Sequence, residues 1–186
     1  MGPPARRRAT YADLAGLPDT VVGELIAGEV VVSPRPAPRH AVAAVALSGE
    51  LYGRFGRGRG GPDGWIILIE PELHLGGDVL VPDLAGWRRS RMPAVPATAA
   101  FELGPDWVCE VLSPSTASID RADKVPAYAR ERVGHVWLVD PILQTLEVLA
   151  LDGAGYRLAG TWKGEAHVRA EPFAEVELEL AALWTA

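Results

Sequence analysis

The stretch Trp107–Ser115, with the sequence WVCEVLSPS, decides the fold because it combines a buried strand with a charge. Its apolar residues predict a strand that enters a hydrophobic core, and its two serines predict a turn at the end of that strand. Glu110 lies in the middle of the strand without a cation beside it in sequence. Burying a lone carboxylate costs several kcal/mol unless the group is paired, protonated or bound to a metal. Glu110 therefore predicts a partner that the fold brings to it.

Length and composition favour one globular domain over residues 1–186, with a flexible basic N-terminus at residues 1–10. Apolar residues make up 48% of the chain and charged residues 23%, which is a globular rather than a disordered composition. No apolar run reaches the ~20 residues that span a bilayer, and the basic start lacks the apolar segment of a secretory signal. Cys109 is the only cysteine, which excludes an internal disulfide framework and a cysteine-based zinc site. We therefore expect a cytoplasmic protein without a membrane segment.

The charge distribution bears on nucleic-acid binding. The net charge of −6 argues against a strong non-specific binder, because such proteins are usually basic. The local balance is different, since arginines concentrate in three patches: RRR from Arg6, RFGRGRGG from Arg54 and WRRSR from Trp87. Each patch is either a solvated loop or a set of phosphate contacts, and composition alone leaves both open.

The hydrophobic pattern predicts strands and helices in a mixed order. ELIAGEVVV, Glu24–Val32, predicts a tight hairpin, and helical spacing predicts a helix over Arg39–Phe55. A second helix is predicted over Ile119–Arg132. The buried strand HVWLVD, a hairpin around LDGAG and a C-terminal strand with one helical turn follow it. The sum is an α/β or α+β fold, with a mixed sheet and a helix on each side.

Two predicted strands each carry one acid on an apolar background. DVLVPDLAGW alternates so that Val79, Val81, Asp83 and Ala85 share one face, and DWVCEVL carries Glu110. Two carboxylates that meet on neighbouring strands repel, and each raises the pKa of the other unless a cation lies between them. Mg²⁺ or Mn²⁺ suits this position because hard cations prefer oxygen ligands and keep several waters. Such a metal polarises a phosphodiester and lowers the pKa of a bound water.

A lysine near these acids is predicted on the helix that follows Glu110. Asp120, Lys124 and Tyr128 stand at positions i, i+4 and i+8, which share one helical face. The alternative is an exposed Asp120–Lys124 ion pair, with Tyr128 as a packing residue. Pro126 leaves a second choice open because proline disrupts a helix interior, so Asp120 belongs either to the helix or to the loop before it. The chain has only two lysines among its 18 Lys and Arg residues, which weakly favours a functional role for Lys124.

These motifs, in this order, resemble the Uma-two family of restriction-type endonucleases, which belongs to the PD-(D/E)XK nuclease superfamily. The resemblance covers roughly Leu14–Leu151, and each motif alone is weak while the ordered series is specific. The motifs are ELIAGEV with Glu24, His40 after a proline-rich turn, VPDLAGW, WVCEVLSPST, the D-x-x-x-K-x-x-x-Y spacing of Asp120, Lys124 and Tyr128, and HVWLVDP.

The resemblance implies a restriction-endonuclease-like fold and a metal site. The fold would be a four-stranded mixed central sheet flanked by helices, with an additional N-terminal hairpin and additional C-terminal strands. Asp83, preceded by Pro82, would be the PD aspartate, and Glu110 would be the second acid of the motif. Both would bind Mg²⁺, with the main-chain carbonyl of Val111 as a third ligand.

One position departs from the superfamily pattern. The pattern has a lysine two residues after the second acid, whereas this chain has Leu112. The family resemblance implies that Lys124 on the following helix takes the place of that lysine. It also implies that Glu24 completes the metal site or orients a water, while the alternative for Glu24 is a carboxylate on an exposed hairpin face.

The predicted function is a Mg²⁺-dependent endonuclease that hydrolyses DNA phosphodiester bonds and leaves a 5′-phosphate, as the resemblance implies. Cutting both strands would favour a two-fold homodimer with one site for each strand. One alternative is an inactive module of the same fold that binds nucleic acid or protein, and another is a metal-dependent hydrolase of small phosphoesters. Positively charged or polar side chains would contact the nucleic acid, and we expect them to be His40, Arg54, Arg57, Arg59, Arg88 and Arg89.

Overall fold

A computed structural model describes residues 7–56 and 64–185, and these ranges form three β-sheets with four α-helices. The strands are β1 (Val21–Ile26), β2 (Glu29–Pro34), β3 (Trp65–Ile69), β4 (Leu73–Leu75), β5 (Asp78–Leu80), β6 (Leu84–Arg88), β7 (Trp107–Val111), β8 (His135–Asp140), β9 (Thr145–Asp152), β10 (Gly155–Lys163), β11 (His167–Val168) and β12 (Leu178–Glu179). The helices are α1 (Tyr11–Leu14), α2 (Pro38–Leu51), α3 (Ala117–Ile119) and α4 (Val125–Arg130), with π turns at Tyr52–Gly56 and Asp120–Lys124 and a 3₁₀ turn at Leu180–Leu183.

The largest sheet has six strands in the order β10-β9-β8-β7-β6-β3. It is mixed, because β7 and β8 are parallel while the other neighbours are antiparallel. A second sheet has the order β2-β1-β5-β4, and β11 pairs with β12. The predicted mixed sheet is thereby confirmed, together with the N-terminal hairpin β1–β2. The hairpin β9–β10 widens the sheet from the four strands that the resemblance implies to six.

The six-stranded sheet separates two hydrophobic cores. Helix α2 covers one face through Ala43, Leu47 and Leu51, which are at most 1% exposed. The segment from α3 to α4 covers the other face through Ala127 and Tyr128, together with apolar residues of the four-stranded sheet. The central strands of the large sheet are therefore buried on both faces, whereas the edge strand β10 is not.

Strand β7 lies near the centre of this sheet and is buried along its whole length. Its side chains alternate between the two cores: Cys109 and Val111 belong to the first, and Val108 and Leu112 belong to the second. Glu110 falls on the side of the second core, between two apolar neighbours. Leu112, at the position where the resemblance implies a lysine in the superfamily pattern, is 2% exposed and packs in that core.

The prediction of one continuous strand in DVLVPDLAGW is wrong. Strand β5 ends at Leu80 in the four-stranded sheet, and β6 begins at Leu84 in the six-stranded sheet. Pro82 lies between them, and a proline has no N–H to donate to a strand ladder. Asp83 therefore lies in the bend that links the two sheets, where its carbonyl accepts a hydrogen bond from the N–H of Glu70 at 3.0 Å. This change of sheet, rather than strand alternation, sets the position of Asp83.

The helix predicted over Ile119–Arg132 is a helical segment from Ala117 to Arg130 that contains a π turn. At the end of this turn, the N–H of Val125 donates to the carbonyl of Asp120, five residues back. Pro126 follows in the first turn of α4, where a missing N–H is tolerated. Asp120 therefore belongs to the helical segment, which decides the choice that Pro126 left open.

The other predicted elements occur close to their predicted bounds. The helix expected over Arg39–Phe55 is α2 with its π turn, and HVWLVD is strand β8. Of the N-terminal segment expected to be flexible, residues 1–6 lie outside the described residues, and the N–H of Ala9 donates to the carbonyl of Gly28 at 2.8 Å. Within the described residues, no helix has the length and hydrophobicity that crossing a membrane requires.

Candidate active site

Lys124 is the centre of a buried group of acids near the end of β7. Its Nζ lies 2.8 Å from Glu110 Oε1, 3.0 Å from Glu24 Oε1 and 3.7 Å from Asp120 Oδ1. All four side chains are only 3–6% exposed. The alternative of an exposed Asp120–Lys124 pair is therefore wrong, and so is that of an exposed hairpin carboxylate for Glu24.

The four-stranded sheet delivers Glu24 to this group. Glu24 lies on β1, and its Oε1 accepts a hydrogen bond from the N–H of Val81 at 2.8 Å. Lys124 Nζ also lies 3.5 Å from the carbonyl of Val81, so the segment between β5 and β6 contacts both members of the ion pair. Glu24 and Lys124 thereby tie the small sheet to the helical segment after β7.

Glu110 accepts two contacts on the same oxygen. Its Oε1 receives the Tyr128 hydroxyl hydrogen bond at 2.5 Å in addition to Lys124 Nζ. Tyr128 is fully buried, and Glu110 is 2% exposed. The three residues of the D-x-x-x-K-x-x-x-Y spacing therefore do share one face, and this face points at Glu110.

Asp83 lies beside this group and has different partners. Its Oδ2 accepts a hydrogen bond from the N–H of Val111 at 2.7 Å, and its Oδ1 lies 3.1 Å from His40 Nε2. His40 stands in the first turn of α2, which brings it to the same end of the sheet. Its side chain is 12% exposed, so it faces the acids and has little open surface.

These residues line one cavity of about 260 Å³. Its rim is formed by the proline-rich segment after β2 and by the SPST turn after β7, whose hydroxyls converge: Ser113 Oγ lies 2.9 Å from Ser115 Oγ and 3.0 Å from Thr116 Oγ1. Sequence reasoning did not single out Glu70, which also lines the cavity. The available signal was an acid directly before Pro71 at the end of an apolar strand.

Burial and charge shift the pKa values of the group. Burial raises the pKa of Glu110 well above its usual value, although Lys124 opposes the shift, and burial likewise raises the pKa of Asp120. Burial alone would lower the pKa of Lys124, but the carboxylates of Glu110, Glu24 and Asp120 raise it above its usual value. Burial, with the charge of Glu110, raises the pKa of Tyr128. Lys124 is therefore held as an ammonium, and the Tyr128 hydroxyl keeps its proton and donates a hydrogen bond to Glu110.

The donor set of the cavity fits a hard divalent cation. Five acids line it against one lysine and one arginine, so negative charge exceeds positive charge by three when all are ionised. His40 Nδ1 is buried without a hydrogen-bond partner, which marks a polar position that a bound group would use.

No three His, Cys, Asp or Glu side chains of residues 7–56 and 64–185 converge tightly enough to hold a metal alone. Mg²⁺ needs no such cluster, because one or two carboxylates and several waters bind it. Asp83 and Glu110 could supply the carboxylates, and Val111, which also lines the cavity, could supply a carbonyl.

The arginines predicted to contact nucleic acid lie away from these acids. Arg88 follows Leu84 by four residues along β6, which is roughly 13 Å, and its Cζ lies 4.7 Å from the ring centre of Trp65. Arg89 follows it, and its N–H donates to the carbonyl of Gly64. Arg54 lies past the far end of α2 and pairs with Glu50 at 3.0 Å. Arg57 and Arg59 lie outside the described residues.

The mixed sheet with its flanking helices is a fold that a solved nuclease-like structure shares. A crystal structure described as "a putative nuclease belonging to DUF820", from Anabaena variabilis ATCC 29413, superposes with a TM-score of 0.75. The match covers 94% of this chain and 97% of that chain, with 22% sequence identity. At this identity the likeness establishes the fold.

The sequence identifies the family. A model of the Uma2 family, described as "Putative restriction endonuclease", matches residues 8–183, so the chain belongs to this family. The resemblance read from the motifs is thereby confirmed over nearly the whole chain. A search of curated proteins finds no match.

Proposed function

We propose that this protein is a Mg²⁺-dependent endonuclease that hydrolyses phosphodiester bonds of DNA, and that it works as one nuclease-like domain in the cytoplasm. Its family and fold are those of restriction-type nucleases. The observation that carries the proposal is the buried convergence of Glu24, Glu110 and Asp120 on Lys124, beside Asp83 in one cavity. Burying this much charge is costly, and perturbed titratable groups of this kind cluster at functional sites, which favours a catalytic role.

Asp83 and Glu110 would hold the metal, with the Val111 carbonyl as a third ligand. When bound, Mg²⁺ (or Mn²⁺) polarises the scissile phosphate and makes a bound water more acidic. The N–H of Val111 fixes one oxygen of Asp83, and Tyr128 and Lys124 fix one oxygen of Glu110. The protein would therefore present its two acids in a preset orientation.

Lys124 would act as a fixed positive charge rather than as a base. Its ammonium contacts Glu110 and Glu24, and its remaining contacts are the Val81 carbonyl and Asp120. A group held in this way has no free lone pair to accept a proton. It would stabilise negative charge that develops on the phosphate, while Glu24, held by Lys124 and the Val81 N–H, would assist by orienting a water.

Binding of DNA would use polar and basic side chains around the molecule. His40 lines the cavity, whereas Arg54, Arg88 and Arg89 lie toward the other end of the sheet and would contact more distant phosphates. We extend this proposal to Arg57 and Arg59. Cleavage of both strands would use a homodimer with one site for each strand.

The test is DNA cleavage by wild type and Glu110→Ala. Supercoiled plasmid and linear single-stranded DNA are incubated with Mg²⁺, with Mn²⁺ or with EDTA, and the ends of the products are analysed. We expect metal-dependent cleavage that leaves 5′-phosphates and that is lost in the variant. Arg121→Ala is the control, because Arg121 lies on the same helical segment but pairs with Glu147.

The failures of this test are distinguishable. Cleavage of model phosphodiesters without cleavage of DNA would point to a small-phosphoester hydrolase. If folded wild type cleaves neither and binds no Mn²⁺, the nuclease proposal is wrong. The chain would then be an inactive module of the fold, which the buried Leu112 at the lysine position of the superfamily would explain.

A further inference from the structure

Two donors converge on a single oxygen of Glu110. Lys124 Nζ lies 2.8 Å from Oε1, and the Tyr128 hydroxyl lies 2.5 Å from the same atom. Both donors are buried, with Lys124 at 3% and Tyr128 at 0% exposure. A charge-assisted bond this short inside a dry core is among the stronger hydrogen bonds of a protein. Tyr128 therefore has a second role besides packing in the core, because its hydroxyl holds Glu110.

The other oxygen of Glu110 has a different environment. Oε2 accepts no hydrogen bond from any described side chain or main-chain group in residues 7–56 and 64–185. The fully buried polar atoms without a hydrogen-bond partner include His40 Nδ1 but not Glu110 Oε2. Oε2 is therefore not fully buried. Because Glu110 lines the cavity, Oε2 is the oxygen that remains accessible from it. The carboxylate is thus anchored by one oxygen and offers the other.

The helical segment explains why two donors reach one atom. Lys124 ends the π turn, and Tyr128 follows one turn later in α4, so both side chains leave the segment on the side of β7. The aromatic ring of Tyr128 packs in the second core, which prevents the hydroxyl from moving away from Glu110. Lysine alone would leave the carboxylate free to turn about that single contact.

We propose that Tyr128 is a positioning residue that orients Glu110 for the metal, by holding Oε1 so that Oε2 faces the cavity. The inference rests on the proposed metal site and adds a residue to it. Hydrogen-bond partners of a metal ligand fix its orientation, and losing one typically weakens metal affinity by about 10–100-fold. Tyr128 would not touch the substrate, so its effect should be visible in metal binding without any DNA.

The experiment compares Tyr128→Phe with Tyr156→Phe. Each variant loses one hydroxyl that donates a hydrogen bond and keeps the ring. Tyr156 is half-buried, donates to the main-chain carbonyl of Val133 at 2.7 Å and does not line the cavity. Mn²⁺ affinity is measured by electron paramagnetic resonance of free Mn²⁺, and folding is checked by urea unfolding. We expect Tyr128→Phe to raise the Kd for Mn²⁺ by about 10–100-fold, and Tyr156→Phe to change it by less than about twofold.

A second measurement uses wild type and does not depend on the variant folding. In a crystal structure with Mn²⁺ bound, Glu110 should coordinate through Oε2 while the Tyr128 hydroxyl still donates to Oε1. Coordination through Oε1, with the tyrosine bond broken, would overturn the proposal even if Tyr128→Phe failed to fold.

The remaining outcomes separate this inference from the proposed function. If wild type binds Mn²⁺ and Tyr128→Phe binds it equally well, Tyr128 has no positioning role and the nuclease proposal stands. If both tyrosine variants lose affinity to the same extent, the effect is a general loss of stability, which also overturns the role. If folded wild type does not bind Mn²⁺, this inference and the metal site of the proposed function fail together.

Discussion

Two ion pairs on the same helical segment have cations three residues apart and differ most in their burial. Arg121 pairs with Glu147 at 2.5 Å, and Lys124 pairs with Glu110 at 2.8 Å. The Arg121 side chain is 43% exposed, whereas the Lys124 side chain is 3% exposed. The closest N–O distances of the two pairs are similar, whereas the first pair is open to water and the second is buried.

The difference teaches that burial, more than distance, decides what an ion pair does. An exposed pair contributes roughly 0–1 kcal/mol, because water screens it and side-chain entropy opposes it. A buried group pays a desolvation cost that its attraction recovers only in part, so it is weak support for stability. The Arg121 pair is an ordinary surface contact. The Lys124 group contains more acids than one ammonium can neutralise, as the proposed cation site requires.

The largest expected effect is the loss of stability when the cation of each ion pair is removed in turn. Lys124→Met leaves Glu24, Glu110 and Asp120 buried without their ammonium, and we expect it to lower the free energy of unfolding by about 3–5 kcal/mol at neutral pH. Arg121→Met should lower it by less than about 1 kcal/mol. Urea unfolding measures both. Equal losses would mean that burial does not distinguish the two pairs.

Without metal, the carboxylates of Glu110 and Glu147 should differ in how their removal changes stability with pH. Burial raises the pKa of Glu110, so ionising it disfavours the folded state, and wild type loses stability as the pH rises above the ordinary carboxyl range. Glu110→Gln removes this loss of stability, and Lys124 keeps its contacts with Glu24 and Asp120. In EDTA, we expect this variant to be more stable than wild type, by a margin that grows from about pH 5 to about pH 8.

Glu147→Gln is the matched control for that comparison. Its side chain is 24% exposed and its pair is open to water, so the substitution should change stability by less than about 1 kcal/mol across the same pH range. A margin for Glu110→Gln that shrinks with rising pH would contradict the account, because it would mean that the ionised carboxylate stabilises the fold.

The smallest expected effect is a difference in how salt changes the coupling energies of the two ion pairs. In a double-mutant cycle, the Arg121–Glu147 coupling should fall toward zero in about 1 M salt, where the Debye length is roughly 3 Å. The energetic coupling between Lys124 and Glu110 should persist, because salt screens a buried pair much less than an exposed one. Equal salt sensitivity would show that water reaches Lys124 more freely than its burial indicates.

The sequence predicted the elements that depend on local pattern. An acid in an apolar strand identified Glu110, and the i, i+4, i+8 spacing identified Asp120, Lys124 and Tyr128 as one face. The hairpin that carries Glu24 followed from its turn residues, and the ordered motifs predicted the family. Each of these rests on neighbours in sequence, which a single chain displays.

The sequence could not predict what depends on packing between distant segments. Strand alternation placed Asp83 within one strand, but the chain changes sheet at Pro82, which alternation does not reveal. The contacts of Tyr128 with Glu110 and of His40 with Asp83 need the sheet and both helices in place. Glu70 reaches the cavity only because β3 ends there.

The most direct test of the central claim is the effect of Mn²⁺ on unfolding of wild type at neutral pH. If the buried acids form a site for a divalent cation, a concentration about 100 times the Kd should raise the free energy of unfolding by about 2.7 kcal/mol. The same addition should not stabilise the variant Asp83→Asn comparably. A folded wild type whose stability does not change with Mn²⁺ or Mg²⁺ would contradict the account, because the buried charge would then have no cation to hold.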